Sequence, residues 1–361
     1  MKIFEEMEQR GHEELIFNYV DDVDLKMIIS LHDTTLGKTL GGVRMGEYDS
    51  DADAIEETLR LSQIMTYQSA TADIDCGGGS VVLWGDRQNQ KSEAYFRAVG
   101  RLIESLKGRI VVSPDLGTDS QDFKYIQRET ENTIFRSQQE ESSADSGGTF
   151  LSAEVTALGV YWGIKACAKS AFGSDDLSGR SFAVQGLGKV GRALVDCLKQ
   201  ENTSLAVTDI VYDNIKQVQD TYPDVQSVRP EEILYRECDF LVPCAVSSII
   251  DREALNKLRC RVIAGSAYNI FTDEKLLDEV HGKGILYAPD FVISAGDLLL
   301  LDRNLKLGNL ERAREETKII YNYLLDLLYR SAQEKVPPYK LAMRDAMERY
   351  RKIDQIKNIL C

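Results

Sequence analysis

Histidine, tryptophan and proline are scarce in this chain, which has 3, 2 and 7 of them respectively. The histidines stand far apart at His12, His32 and His281, and no two cysteines form a Cys-x-x-Cys pair. Because zinc sites are built from clustered His and Cys side chains, we expect no metal centre. The seven cysteines are odd in number, and several lie in apolar segments, which is typical of free thiols in a reducing cytosol.

Positive charge is also in deficit, since 43 Lys and Arg residues face 58 Asp and Glu residues, a net charge of -15. Nucleic acids and anionic membranes both require a basic face on their partner. No apolar run is long enough to cross a bilayer. The first six residues, MKIFEE, lack the cationic start and apolar core of a signal peptide. We therefore expect a cytoplasmic protein with neither a nucleic-acid nor a membrane partner.

The 361 residues are enough for two domains, and their patterning predicts an α/β fold. In the first part, apolar and β-branched runs predict strands, and helical spacing of apolar residues predicts helices. The expected strands cover 25–32, 80–84 and 109–113, and the expected helices cover 51–68 and 94–106. A polar stretch of Ser, Glu, Gln, Asp and Gly over 137–150 is typical of a linker or mobile loop.

In the second part, short apolar strands alternate with helices, the pattern of a parallel, doubly wound sheet. A helix is expected over 153–172, one long helix over 310–331, and a break at Pro337-Pro338. The expected strands are 181–185, 204–209, 240–243, 261–264 and 284–288. We thus expect one α/β domain over residues 1–136 and a Rossmann-type dinucleotide-binding domain over 151–334. Residues 335–361 are expected to pack back onto the first domain.

A dinucleotide-binding sequence lies at Gly186-Leu187-Gly188-Lys189-Val190-Gly191, after a predicted strand and before a predicted helix. Its glycines permit a tight turn and close approach of the backbone to a pyrophosphate, which the helix N-terminus also attracts. Asp209 closes the next strand, at the spacing of an acid that binds the adenosine ribose hydroxyls, and this favours NAD over NADP. The alternative is a glycine turn kept only for packing, in a fold that no longer binds its cofactor.

Many short segments resemble the Glu/Leu/Phe/Val amino-acid dehydrogenase family, and its leucine dehydrogenases most. In the first part they are LHDTTLG at 31–37, LGGVRM at 40–45, MTY at 65–67, GGG at 77–79 and DLGT at 115–118. In the second part they are TALGV at 156–160, VQGLG at 184–188, PCA at 243–245, AGSA at 264–267 and YAPDFVI at 287–293. The resemblance is colinear over nearly the whole chain.

The resemblance implies an enzyme that oxidatively deaminates an L-amino acid with NAD. It also implies a homo-oligomer, a dimer or an octamer, with residues 1–136 as the substrate and oligomerisation domain. In that family a lysine after Met-Thr-Tyr binds the substrate α-carboxylate, and a lysine after Gly-Gly-Gly is the general base. An aspartate, here Asp115, relays protons. The implied substrate pocket comprises Leu40, Gly41, Gly42, Met65, Asp73, Asp75, Gly77, Gly78, Ser113 and Ser294. The implied cofactor contacts are Thr156, Gly186, Leu187, Gly188, Lys189, Val190, Gly191, Asp209, Cys244, Ala245, Ala267 and Asn269.

Both lysine positions differ in this chain, where Gln68 follows Met-Thr-Tyr and Ser80 follows Gly-Gly-Gly. Glutamine carries no charge to offset a carboxylate, and serine is not a base near neutral pH without a partner. Asp73 and Asp75 stand where the family has a glycine and a neutral residue. With Asp115 they predict three carboxylates facing one site, which would repel an α-carboxylate and raise the pKa of a buried member.

Three hypotheses remain open from the sequence. The first is an altered enzyme that uses NAD on an amine, imine or carbonyl substrate without a lysine-held α-carboxylate, with Asp115 as proton donor or acceptor. The second is a non-catalytic structural or regulatory member, partnered with an active paralogue. The third is ordinary L-amino-acid deamination in a rearranged site, in which Lys38 or Lys189 replaces a lost lysine.

Overall fold

The computed structural model describes residues 1–134, 153–245, 249–300 and 309–357. The expected linker at 137–150 lies outside these residues. The described chain divides into two compact units. The first holds residues 1–134 and 346–357, and the second holds the described residues between 153 and 345. None of the described helices has both the length and the apolar character needed to cross a membrane.

Helices and strands alternate along most of the described chain. The helices are α1 (Ile3–Arg10), α2 (Asp51–Thr71), α3 (Glu93–Ser105), α4 (Ser120–Ile126), α5 (Ala153–Phe172), α6 (Lys189–Lys199), α7 (Tyr212–Thr221), α8 (Pro230–Ile233), α9 (Arg252–Lys257), α10 (Leu276–Gly282), α11 (Asp290–Ile293), α12 (Leu310–Glu316), α13 (Lys318–Glu334) and α14 (Pro338–Lys357). The strands are β1 (Glu14–Val20), β2 (Leu25–Leu31), β3 (Thr39–Gly46), β4 (Gly77–Trp84), β5 (Ile110–Pro114), β6 (Ser181–Gln185), β7 (Ser204–Thr208), β8 (Gln226–Ser227), β9 (Cys238–Pro243), β10 (Cys260–Ile263) and β11 (Leu286–Tyr287).

The first unit is built on a mixed five-stranded sheet of order β1-β2-β4-β3-β5. Strand β2 runs antiparallel to both β1 and β4, whereas β3 is parallel to both β4 and β5. Helix α2 packs on one face, where Ala54, Ile55 and Leu59 are buried against Ile28. The other face is covered by α3 and α4 in a larger apolar core. Chemical groups on this face therefore lie between α2 and the sheet.

The second unit is built on a six-stranded sheet, every pair of which is parallel. Its order is β11-β10-β9-β6-β7-β8, so from β8 the strands read 3-2-1-4-5-6 in chain sequence. This is the order of the doubly wound dinucleotide-binding fold, in which ligands bind where the strand order reverses. Here the reversal falls between β6 and β9. The predicted α/β fold class with a Rossmann-type second domain is confirmed.

Some predicted elements are wrong in detail. The single helix expected over 310–331 is two helices, α12 and α13, which meet at Thr317. The Thr317 hydroxyl donates to the carbonyl of Arg314 at 2.6 Å, and such back-bonding competes with regular helix geometry. Strands β1 and β3 were not predicted, because β1 is only half-buried and β3 contains two adjacent glycines. Residues 338–345 of α14 belong to the second unit, and its residues from 346 onward belong to the first.

Candidate functional site

Glycines on the first sheet make room for Asp115. A Cβ atom at Gly42 would lie 2.7 Å from the Cβ of Asp115, and one at Gly41 would lie 2.4 Å from the carbonyl oxygen of Gly79. Separations under about 3.0 Å do not occur for real Cβ atoms, so side chains at either position would push the strands apart. The glycines of β3 and β4 therefore allow Asp115, at the carboxyl end of β5, to lie directly against β3.

Asp115 is held by Arg44 in a bidentate ion pair. Arg44 Nε donates to Oδ2 at 3.0 Å and Arg44 Nη2 to Oδ1 at 3.2 Å, and the backbone N–H of Leu116 donates to Oδ1 at 2.6 Å. Arg44 Nη1 donates to Glu57 on α2, which also binds Arg60. Burial opposes ionisation of Asp115, but the charge and hydrogen bonds of Arg44 outweigh it, so the pKa of Asp115 lies below its usual value.

The three carboxylates that were expected to face one site, Asp73, Asp75 and Asp115, have different partners. Asp73 and Asp75 are exposed, and both contact Arg349 Nη2, at 3.0 and 2.8 Å. The prediction that neighbouring acids raise the pKa of a buried carboxylate is wrong for Asp115, because its nearest charged partner is the cation of Arg44. Asp73 has a backbone φ of 56°, a left-handed conformation that glycine adopts most easily.

Gln68 and Ser80, where the resemblance implies lysines, are both neutral and buried. Ser80 is 1% exposed, and its hydroxyl donates to the carbonyl of Thr58 on α2 at 2.7 Å. Gln68 is 2% exposed and lies ten residues beyond Thr58 on the same helix, which is about 15 Å along its axis. The Ser80 hydroxyl proton is thus bound by a backbone carbonyl, so Ser80 has no base or nucleophile character here.

Lys38, one of the two lysines considered as a substitute, lies near the start of β5. Its ammonium lies 3.6 Å from the place where a Cβ of Gly108 would be, just before β5. Asp115 follows β5 at its other end, and five residues of strand span about 17 Å.

The remaining expected pocket residues are divided between the units. Gly77 and Gly78 begin β4, where Cβ atoms would lie 1.6 Å from the carbonyl oxygen of Asp33 and 2.0 Å from that of Ser62. The Ser113 hydroxyl points to the carbonyl of Gly41 at 3.5 Å. Leu40 is buried and Met65 half-buried in the first unit, whereas Ser294 is buried in the second, after α11.

In the second unit, different structural constraints apply to the three glycines of the motif. Gly186 has a φ of 93°, and its Cβ would lie 2.7 Å from the backbone nitrogen of Ala245. A Cβ at Gly191 would lie 2.1 Å from the carbonyl oxygen of Gly186. Gly188 has an ordinary φ of -65°, and apart from its two chain neighbours no described residue has an atom within 4 Å of the position of a Cβ. Packing explains Gly186 and Gly191, but it does not explain Gly188.

Asp209 is fixed beside the glycine loop. Its Oδ2 accepts from the backbone N–H of Leu187 at 2.6 Å, and its Oδ1 accepts from that of Val211 at 2.8 Å. Leu187 follows β6 and Asp209 follows β7, so both lie at the carboxyl ends of these paired strands. Each carboxylate oxygen has a further lone pair with which to accept a hydroxyl.

Other expected cofactor contacts lie along the same edge of the sheet. The N–H of Cys244 donates to the carbonyl of Gln185 at 2.7 Å, and that of Ala267 to Pro243 at 3.0 Å. Burial raises the pKa of the Cys244 thiol, so it is not a reactive thiolate.

The last expected cofactor contacts lie on other elements of the second unit. Asn269 adopts a φ of 52°, and its N–H donates to Asp290 at 2.9 Å. Lys189 and Val190 open α6, with Lys189 exposed, and Thr156 is half-buried on α5.

Three apolar residues after Asp209 were not predicted as functional. Ile210, Val211 and Tyr212 are 93%, 50% and 72% exposed, at the carboxyl edge of the parallel sheet. An apolar run directly after the acid that ends a strand is the sequence signal that could have identified them. Arg44 was missed as well, although it lies within the LGGVRM segment.

Comparison with known proteins gives the same family for both parts of the chain. Residues 15–132 match the Glu/Leu/Phe/Val dehydrogenase dimerisation domain, and residues 147–301 match the Glutamate/Leucine/Phenylalanine/Valine dehydrogenase domain. The chain is 41% identical to a leucine dehydrogenase of Thermoactinomyces intermedius, over 97% of this chain and 93% of that protein. It is 36% identical to a phenylalanine dehydrogenase of the same organism, over 99% and 96%.

Among solved structures, the L-tryptophan dehydrogenase of Nostoc punctiforme superposes with a TM-score of 0.78 at 32% identity. That match covers 97% of this chain and 99% of the other. A glutamate dehydrogenase of Thermus thermophilus shares the fold, with a TM-score of 0.76 at 21% identity. Sequence, domain matches and fold agree, and this chain belongs to the Glu/Leu/Phe/Val dehydrogenase family.

Proposed function

We propose that this protein binds NAD and acts as an oxidoreductase on an amine, imine or carbonyl substrate that lacks a lysine-held α-carboxylate. The single observation that carries the cofactor assignment is Gly188, which has neither a positive φ nor a packing neighbour among the described residues. A glycine with no conformational or packing reason is expected where a pyrophosphate approaches the backbone.

Two further features fit a dinucleotide. Asp209 has free lone pairs for ribose hydroxyls and would repel a 2′-phosphate. The exposed apolar side chains of Ile210 and Tyr212 lie beside it and offer a surface to an adenine ring. When bound, NAD supplies the acceptor or donor for a hydride. The N-terminus of α6 and the backbone of the glycine loop would hold its phosphates.

The electrostatics of the first unit support a substrate without an α-carboxylate. Gln68 and Ser80 are neutral, and the guanidinium of Arg44 is shared between Asp115 and Glu57. Asp115 is half-buried and ionised at neutral pH, because its pKa is lowered. Its Oδ2 accepts a hydrogen bond from Arg44 and has room to accept another from an ammonium group. Asp115 therefore acts as an anion and proton acceptor in this proposal.

The relatives do not select a substrate. Their names give leucine, phenylalanine and tryptophan, whose side chains differ greatly in size. The position of Lys38 at the far end of β5 argues against a rearranged lysine site. The non-catalytic hypothesis predicts either cofactor binding without turnover or no cofactor binding. Measurements of NADH binding and of turnover therefore distinguish it from our proposal.

Calorimetric titration with NADH tests the cofactor assignment. We expect wild-type protein to bind, and Gly188→Val to weaken binding about 100-fold, because the side chain would occupy the pyrophosphate position. Gly282→Val is the matched control, since Gly282 is also open, has no positive φ and lies in the same unit on α10. It should bind NADH like the wild type. Absence of wild-type binding would overturn the proposal.

Turnover of L-leucine and isoamylamine, which differ by one carboxylate, tests the substrate class. Reduction of NAD is followed by absorbance. We expect isoamylamine to be the better substrate of the pair, and Asp115→Asn to abolish its turnover while leaving NADH affinity intact. A preference for leucine would refute the substrate class. NADH binding without turnover of any amine, aldehyde or imine would favour a non-catalytic role.

A further inference from the structure

The end of the chain contacts the connection between α2 and β4. Arg349 Nη1 donates to the carbonyl of Ile74 at 3.0 Å, while Nη2 donates to Asp75 at 2.8 Å and lies 3.0 Å from Asp73. One guanidinium thus binds three consecutive residues. Arg349 belongs to α14, in the part that is counted with the first unit.

Tyr350 makes the neighbouring contact. Its ring is buried, and its hydroxyl donates to the carbonyl of Cys76 at 2.7 Å, with the carbonyl of Thr66 at 3.4 Å. A buried hydroxyl in this place satisfies a backbone carbonyl at the very start of β4. We call Arg349 and Tyr350 the C-terminal strap.

The connection held by the strap has little support of its own. Residues 72–76 contain the left-handed Asp73, with a φ of 56°, a conformation that is unfavourable for a non-glycine residue. Its N–H groups reach only the end of α2, from Ala72 to Gln68, from Asp73 to Ala70 and from Ile74 to Ser69, and the Cys76 thiol contacts the Ser69 hydroxyl at 3.2 Å. Immediately after it, Gly77 and Gly78 pack with no space for side chains. A small displacement of the connection would therefore move the start of the glycine strand.

We propose that Arg349 and Tyr350 are positioning residues, which hold the connection 72–76. Through this connection they keep Gln68, before it, and Gly77–Gly79, after it, in place in the first unit. The acidic residues Asp73 and Asp75 are, on this reasoning, the docking groups of the strap. The inference concerns the first unit alone and holds whichever substrate the protein takes.

Hydrogen exchange of the whole protein, read by mass spectrometry on peptides covering 69–80, tests the strap. Ile74 and Gly77 carry the informative amides, bonded to Ser69 and Lys38 at 3.0 and 2.9 Å. Arg349→Gln should speed their exchange about tenfold. Arg349→Lys should restore part of the protection, because an ammonium binds the two carboxylates but cannot also reach the Ile74 carbonyl in the guanidinium geometry.

Arg351→Gln is the matched control, as Arg351 lies on the same helix and is exposed. It should leave the exchange of 69–80 unchanged. Sodium chloride at about 1 M, where the screening length falls to about 3 Å, should reproduce the effect of Arg349→Gln in the unaltered protein but not add to it in the variant. The salt experiment serves equally if Arg349→Gln does not fold. Equal exchange in Arg349→Gln and Arg351→Gln, or no salt effect, would overturn the proposal.

Discussion

Two histidines in the core of the first unit should make that unit sensitive to acid. His12 and His32 lie with ring centroids 4.5 Å apart, and both are buried. His12 Nε2 contacts the carbonyl of Leu59 at 2.9 Å, so it carries the N–H, while its Nδ1 has no partner among the described residues. A second proton would therefore have no acceptor. Burial and the nearby His32 lower the pKa of His12 from 6.5 to about 3.

The sign and size of the effect follow from linkage. Because the folded-state pKa of His12 is lowered, the unfolded chain binds a proton first as the pH falls. Its contribution to the free energy of unfolding is fully present above pH 6.5 and is lost between 6.5 and about 3. The slope in that window is about 1.4 kcal/mol per pH unit, or about 2 kcal/mol between 6.5 and 5. Burial lowers the pKa of His32 too, which adds a slope of the same sign.

Urea unfolding followed by tryptophan fluorescence measures this slope unit by unit. The chain has two tryptophans, Trp84 in the first unit and Trp162 in the second, so a Trp162→Phe background reports the first alone. Between about pH 7 and 5 we expect His12→Gln, which keeps a donor for Leu59, to reduce the slope by one proton. His281→Gln, a histidine change in the second unit, is the control. Identical slopes in the two variants would refute the reasoning.

Further predictions concern the first unit, and thermal or urea unfolding measures each. Asp73→Ala should be less stable than Asp73→Gly by about 1 kcal/mol, since both lose the ion pair but only glycine accepts the left-handed backbone; equal stabilities would contradict this. A double-mutant cycle of Arg44→Gln and Asp115→Asn should give a coupling of about 1–2 kcal/mol at neutral pH. Because the folded-state pKa of Asp115 is lowered, that coupling should disappear as acid protonates it, and a pH-independent coupling would exclude the ion pair. Ser80→Ala should cost about 1 kcal/mol and leave NADH affinity unchanged, whereas weakened NADH binding would show that Ser80 does more than bond to Thr58.

Local pattern was enough to predict much of the second unit. Strand β6 and helix α5 have the predicted bounds, and the glycine motif follows β6 and includes the first residues of α6. Both depend on neighbouring residues only: short apolar strands, helical spacing and a motif whose geometry is local. The strand order was predictable only as a class, since no local pattern distinguishes which strands become neighbours.

The substrate side was harder to predict because its partners are distant in sequence. Asp73 and Asp75 were assigned to a pocket, but their cation is Arg349, more than 270 residues away. Arg44 and Asp115 are 71 residues apart, and their pairing reversed the predicted direction of the pKa shift of Asp115. The fold determines which charged side chains become neighbours. The positions of acidic residues along the chain therefore do not determine the electrostatics of a site.

The bond from Tyr350 to the carbonyl of Cys76 joins residues 274 positions apart, and this has a consequence for synthesis. A ribosome adding about 5–20 residues per second makes Tyr350 about 14–55 s after Cys76. For most of that time strands β1 to β5 are complete in sequence, yet the place that the Tyr350 ring occupies is empty. The hydrogen bond at the start of the glycine strand therefore forms long after the strand itself has been made.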